Sequence, residues 1–298
     1  MFEFLTMLAG MLIAVTVMQN GQLAALYGQY TGATMVHAVG LVAMLLCLWA
    51  KRKTLPQKQK VSAWMYLGGV IGVGTLVLTS TAFGGVSVTA IAALGLLGQT
   101  LTSLLMDQYG LMGVEKHPFQ LARLAPLLAV VAGVCVMLFP LDSAAPVAAL
   151  LALLSGVTTV FARTVNGRLA VRHGAMRSTV MNYVTGLSAS ALLMLLFGRG
   201  EPAWTKFACS NNWFMYLGGA CGACLVMLLN LTVPKISAFK STLLQFIGQI
   251  LMGLALDTLL TGVFSWRNAA GGALAAIGLA LNMLIEWRSA QSASSKRA

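Results

Sequence analysis

Apolar runs of about 20 residues follow one another along the whole chain, broken by short stretches rich in polar residues, glycine or proline. At about 1.5 Å of rise per helical residue, each run is long enough to cross about 30 Å of hydrocarbon. The pattern predicts ten spans: residues 4–27, 31–49, 64–83, 87–109, 121–139, 147–171, 178–197, 213–233, 237–260 and 268–285. The spans leave no room for a soluble domain. The amino terminus has neither a basic segment nor a convincing cleavage site, so it is expected to stay as the first span. Residues 83–87 form so short a turn that the third and fourth spans are expected to pair as a tight hairpin. Ser87 is placed to cap the fourth helix and Gly110 to end it.

Polar residues inside these runs form a pattern of their own. GQTLTSLLMD, Gly98 to Asp107, recurs as GQILMGLALD, Gly248 to Asp257. Asn20-Gly21 is echoed by Asn166-Gly167, and Gly68-Gly69 with Gly72 by Gly218-Gly219 with Gly222. Anchors in the same order predict two copies of a five-helix unit, residues 1–140 and 141–298. Loop charges add orientation. Lys51 to Lys60 carries five positive charges, whereas its counterpart has only Arg199 and Lys206 beside Glu201. The first loop has no Lys or Arg, yet its counterpart has Arg168, Arg172 and Arg177. The bias reverses between the copies, as expected for an odd number of spans inserted in opposite senses. The expected fold is therefore an all-α polytopic membrane protein, ten transmembrane helices in two inverted five-helix repeats. Both termini and a short carboxyl tail are expected in the cytoplasm.

Composition agrees: 58% of the 298 residues are hydrophobic and 9% charged, far from a soluble domain. The net charge of +12 lies in loops rather than on one face, so the basic residues fit membrane orientation and nucleic acid is excluded as a partner. The five cysteines form no disulfide framework, and the three histidines (His37, His117, His173) have no metal-ligand spacing, so neither metal nor cofactor is expected. His37 reads as a packing residue. No phosphate-binding loop is present, which argues against ATP drive by this chain.

Gln19-Asn20 in the first span, the Gly-Gly entry to the third, the short turn before Ser87, and Gln99 with Asp107 in the fourth resemble the YdcZ-like branch of the drug/metabolite transporter superfamily. The resemblance covers nearly the whole chain, in the manner of a fused ten-span form. It implies an inner-membrane transporter with a central cavity and leaves the substrate open. The chain departs from the pattern by placing Arg163 and Lys240 in spans of its second half.

Amides inside a span are costly unless they meet a partner, so they should face the bundle interior. Gln19, Asn20, Gln99, Gln245, Gln249, Arg163 and Asn166 are the candidates for substrate contact. Gln99 and Gln249 should lie about 18 Å into their helices and Asp107 and Asp257 about 30 Å in. The two aspartates are thus gate or coupling candidates on opposite sides, with Lys116 or Arg123 as a partner for Asp107. Arg163 and Lys240 either snorkel to headgroups or make the cavity positive. The expected function is secondary transport of a small organic solute by alternating access, with a proton gradient as one candidate drive. A flippase for a lipid-linked or amphipathic molecule, or a non-transporting subunit or sensor, are the alternatives; an enzyme is not expected. Lipids and the solute are the expected partners, and oligomeric state is open.

Overall fold

The computed structural model describes residues 2–51, 60–113, 121, 124–139, 145–205, 209–232 and 238–295. Among these the chain is helical, with ten long helices: α1 (Phe2–Tyr27), α2 (Gln29–Lys51), α3 (Gly68–Ala82), α4 (Val88–Tyr109), α5 (Leu124–Leu138), α6 (Ala145–His173), α7 (Ala175–Phe197), α8 (Gly218–Thr232), α9 (Ala238–Thr261) and α10 (Trp266–Ser295). Six helical stretches are long and apolar enough to cross a membrane: Phe2–Tyr27, Gln29–Ala50, Val88–Met106, Ala145–His173, Ala175–Gly200 and Leu244–Thr261. Gly68–Ala82, Leu124–Leu138 and Trp213–Leu229 are apolar but shorter. Exposed Leu45, Leu46, Leu192, Leu195 and Leu196 give the outer surface the apolar character that lipid requires.

Local sequence sets the breaks. Gly28 (φ 101°) separates α1 from α2, and Gly174 (φ 82°) separates α6 from α7; both adopt a backbone that a Cβ would oppose. Ser87 Oγ accepts from the Ala90 N–H at 3.1 Å and starts α4. Gly110, at φ 64°, ends it in the left-handed cap. α3 and α8 are each entered through a 3-10 turn, Ala63–Tyr66 and Trp213–Leu217, and contribute only 15 residues of α-helix each. That is about 22 Å, and the preceding turn supplies the rest of the reach. α10 runs on to Ser295, past its apolar part. The Lys51–Lys60 loop beyond its ends, residues 114–120 and the 140–144 connection lie outside the described residues.

Eight helices can be taken as two groups that meet each other through α2–α7 and α4–α9. α3, α4, α6 and α7 pack together through α3–α6, α4–α6, α3–α7 and α6–α7. α1, α2, α8 and α9 do so through α1–α9, α1–α8, α2–α8 and α1–α2. α5 and α10 pack chiefly on each other, with Gly133 against Gly271. The main apolar core gathers around α4, where Ile91, Leu94 and Leu97 meet Val134 of α5, Ala152 of α6, Ile250 of α9 and Leu279 of α10.

The expected α3–α4 hairpin is not what forms. The connecting turn is short, but α3 turns to α6 and α7 while α4 turns to α6 and α9. Each finds a better apolar partner there than in its sequence neighbour, and the divergence leaves space between them.

Glycines set the closest crossings. A side chain on Gly98 would meet Leu153 and Gly156 of α6, and one on Gly248 would meet Met7 and Met11 of α1. The same pairing recurs elsewhere: Gly68 faces Asn166 and Gly218 faces Asn20. Gly69 meets Asn182 and Gly186, while Gly219 meets Val36 and Gly40. Small residues let backbones approach where lipid supplies no hydrophobic drive for association.

Candidate functional site

A cavity of about 300 Å³ lies between the two groups of four helices, and all eight of those helices line it. Among the described residues none of α5 or α10 lines it. Asn20, Gln99, Arg163, Asn166 and Gln249 line it together. Gln19 and Gln245 do not. Gln19 is fully buried, donating Nε2 to the Phe214 carbonyl at 3.0 Å, and thereby ties α1 to the turn before α8. Gln245 is buried on α9 where Gly10 of α1 crosses its backbone.

Arg163 Nη2 donates to Gln99 Oε1 at 3.1 Å, joining α6 to α4. A guanidinium carries five N–H donors, so four remain for other partners. Asn166 Nδ2 donates to Asn182 Oδ1 at 2.8 Å, which leaves the Asn182 amide N–H groups free to meet another acceptor. Among the described residues, no acidic side chain lines the cavity. The site is therefore cationic, with its charge on α6 and its amide donors around it.

Other lining groups were not apparent from the sequence as site residues. Thr75 and Thr79 of α3, Ser155 and Thr159 of α6, and Asn182 and Tyr183 of α7 all face the space. His37 does too, although it is only 5% exposed and its Nδ1 pairs with the Ala33 carbonyl at 2.8 Å. Its ring packs on Tyr183, with centroids 5.8 Å apart. The one signal that could have found them is the alignment of the two halves: Gly40 and Gly186 sit in matching places, each against the aromatic residue of the other helix.

The side chains of Asn20 and Gln249 make no hydrogen bond among the described residues. Asn20 Oδ1 is buried beside Gly218 without a donor. An amide held at a cavity wall without a partner is a costly arrangement, and a bound solute could complete it.

Asp257, 7% exposed, is not among the lining residues but sits at the N-terminus of α4 against Val88, which lines the cavity. Its Oδ1 accepts from the Val88 N–H at 2.7 Å, and its Oδ2 from the Thr89 N–H at 3.0 Å and the Thr89 hydroxyl at 2.6 Å. Asn268 of α10 donates to Ser87 Oγ at 3.0 Å alongside. A carboxylate against a helix N-terminus satisfies orphan donors and the positive end of the helix dipole together. Glu201 repeats the device at α2, accepting from the Tyr30 and Thr31 N–H groups at 2.7 and 2.9 Å and from the Thr31 hydroxyl at 2.7 Å. The side chains of Asp107 and Lys240, and residues Lys116 and Arg123, lie outside the described residues.

Among solved structures, one titled "Crystal structure of protein" superposes with a TM-score of 0.63 over 96% of each chain at 18% identity, a likeness of fold alone. No curated protein matches the sequence. A family model described as "Putative inner membrane exporter, YdcZ" matches residues 1–136 and 147–281. Together with the apolar helices, the match makes this a multi-pass inner membrane protein of the transporter kind. With most of its length matched, the chain belongs to the YdcZ inner membrane exporter family.

Proposed function

We propose that this protein is a secondary transporter that binds a small organic solute in the central cavity and exposes it to either side of the membrane in turn. The observation that carries the reading is the cavity itself, lined by eight helices and holding one arginine and several amides in an otherwise apolar protein. Polar and charged groups at this depth are costly, and they line solute pathways far more readily than lipid-facing surface.

In this reading ten helices span the membrane as two inverted copies of five. The reciprocal contacts support it: Gly68 with Asn166 against Gly218 with Asn20, and Gly69 with Asn182 against Gly219 with Val36. The family match, which falls in two stretches of similar length, also supports it. The copies interlock, since each four-helix group takes two helices from each half. Rocking of one group against the other would open the cavity first to one side and then to the other. Asp257 on α9 holds the start of α4, a helix of the opposite group, and so acts as the gate at that end. Asp107, at the matching place of the repeated motif, is the gate candidate for the other side. Both termini are cytoplasmic, following the loop charges.

Reconstitution into liposomes tests this. Saturable flux of an organic solute, lost in Arg163→Gln and driven or not by an imposed proton gradient, is the expected result. Absence of flux for a panel of organic anions, zwitterions and cations under both conditions would overturn it.

A further inference from the structure

The cavity walls differ at five of the positions that the two halves share. Counting from the matched asparagines, Arg163 stands three residues before Asn166, and Val17 three before Asn20. Thr159 likewise matches Ile13. Counting from the matched glycine pairs, Thr75 and Thr79 of α3 match Leu225 and Leu229 of α8. Asn182, which meets Gly69, matches Val36, which meets Gly219. All ten of these residues line the cavity. In each of these five pairs the polar member belongs to the group α3, α4, α6 and α7, and the apolar member to α1, α2, α8 and α9; Thr16 and Ala162 run the other way, and Asn20 with Asn166 and Gln249 with Gln99 keep an amide on both walls.

From this division we infer that the solute is an amphipathic organic anion bound in one orientation. Its acidic group lies on the wall of Arg163 and Asn182, and its apolar body lies on the wall of Val17, Leu225 and Leu229. The inference rests on the transporter reading for its biological meaning but concerns binding alone. Among the described residues Arg163 has four N–H donors beyond the one given to Gln99, and the lining there holds no carboxylate to neutralise it, so a negative group gains charge-assisted hydrogen bonds that a cation would forfeit. The facing wall offers branched aliphatic side chains, whose burial against a ring or chain is favourable at about 25 cal/mol per Å². A small hydrophilic anion would satisfy one wall and leave the other wet. A hydrophobic cation would reverse the preference of the polar wall. Asn20 and Gln249, the two amides on the apolar side, are left to meet a polar substituent along the body.

The test uses the full purified chain in detergent and isothermal titration with three permanently or fully charged probes. 2-Phenylethanesulfonate carries ring and anion, 2-phenylethylammonium carries ring and cation, and ethanesulfonate carries the anion without a ring. The expected ranking places the first at least about tenfold tighter than either of the others. Arg163→Gln should remove the preference for anion over cation while keeping that for the ring, and Arg163→Lys should restore part of it. Leu225→Thr combined with Leu229→Thr should do the converse, removing the ring preference and keeping the charge preference. Both variants must elute as the wild type does on size exclusion, and the second stands if the first fails to fold. Equal or tighter binding of the cation, equal binding of the ringless anion, no binding of any probe, or unchanged rankings in both variants would each overturn the inference. If the ranking holds but liposomes show no flux, the transporter reading fails and the ligand class stands.

Discussion

Arg163 and Val17 occupy matching places on opposite walls of one cavity, and each has a glutamine of the repeated motif on its own side, Gln99 and Gln249. The scaffold is the same on both walls: a glycine crossing at Gly98 or Gly248, and an asparagine against Gly68 or Gly218. What differs is the side chains carried into the space. On one wall Arg163 holds Gln99 and Asn166 holds Asn182; on the other Val17 and Val36 leave Gln249 and Asn20 without those partners. On the proposed repeat, the positions that set backbone spacing are kept and those that face the cavity have diverged. Packing constrains both copies equally, whereas a ligand lying in one orientation asks different things of each.

The comparison breaks most directly at Arg163. Arg163→Val makes the two walls alike and should weaken binding of 2-phenylethanesulfonate about 100-fold, or about 2.7 kcal/mol, measured by titration calorimetry. Adding Val17→Arg to that variant should recover part of the loss, because Gln249 stands ready to hold the new guanidinium as Gln99 holds the native one. No recovery would show that the walls share a backbone and nothing more.

The shared scaffold should respond symmetrically. Gly98→Ala and Gly248→Ala each press a methyl group into a neighbouring backbone and should each cost about 2 kcal/mol in thermal unfolding of the purified protein. Gly74→Ala, where nothing lies within 4 Å, should change stability by less than about 0.5 kcal/mol. A large difference between the first two variants would mean that the crossings are not equivalent.

The joint between the walls is next. Asp257→Asn keeps the size of the cap and removes its charge; about 1.5 kcal/mol of stability should be lost, and a cysteine placed at Val88 should become more reactive to a thiol reagent. Glu201→Gln, at a half-buried site, should lose less. The smallest effect separates the glutamines: Gln249→Ala should weaken ligand binding by under about 1 kcal/mol with stability unchanged. Gln99→Ala should lower both, since it also strips Arg163 of its hydrogen bond.

How much of this could be read beforehand depended on the kind of constraint. Apolar run length places the helices because the bilayer thickness dictates it, and Ser87 and Gly110 mark the ends of α4 by local chemistry alone. Glycine and asparagine anchors suggested the repeat, and the same residues recur at matching helix crossings. Five of the seven candidate contact residues share one cavity, since buried amides and arginines have few other places to go. The choice between neighbours was not legible. Gln19 and Asn20 are adjacent and equally polar, and only the tertiary approach of the Phe214 carbonyl decides that the first is spent on structure. The α3–α4 divergence was hidden for the same reason, because a short turn limits separation at one end and says nothing about the other. The partner of Asp257 lies far away in sequence on α4, and no local pattern announces it.

The Asp257 cap also bears on timing. Its carboxylate meets three donors within one turn of α4, two of them backbone groups that no side-chain movement can carry along. Sliding the helices apart by a little would strain all three at once, and water cannot replace them until the gap admits it. Such a catch has no stable half-open position. If the proposed alternating access holds, opening at this end should be abrupt and rare, with long closed dwells, and its frequency set by how seldom the whole catch lets go.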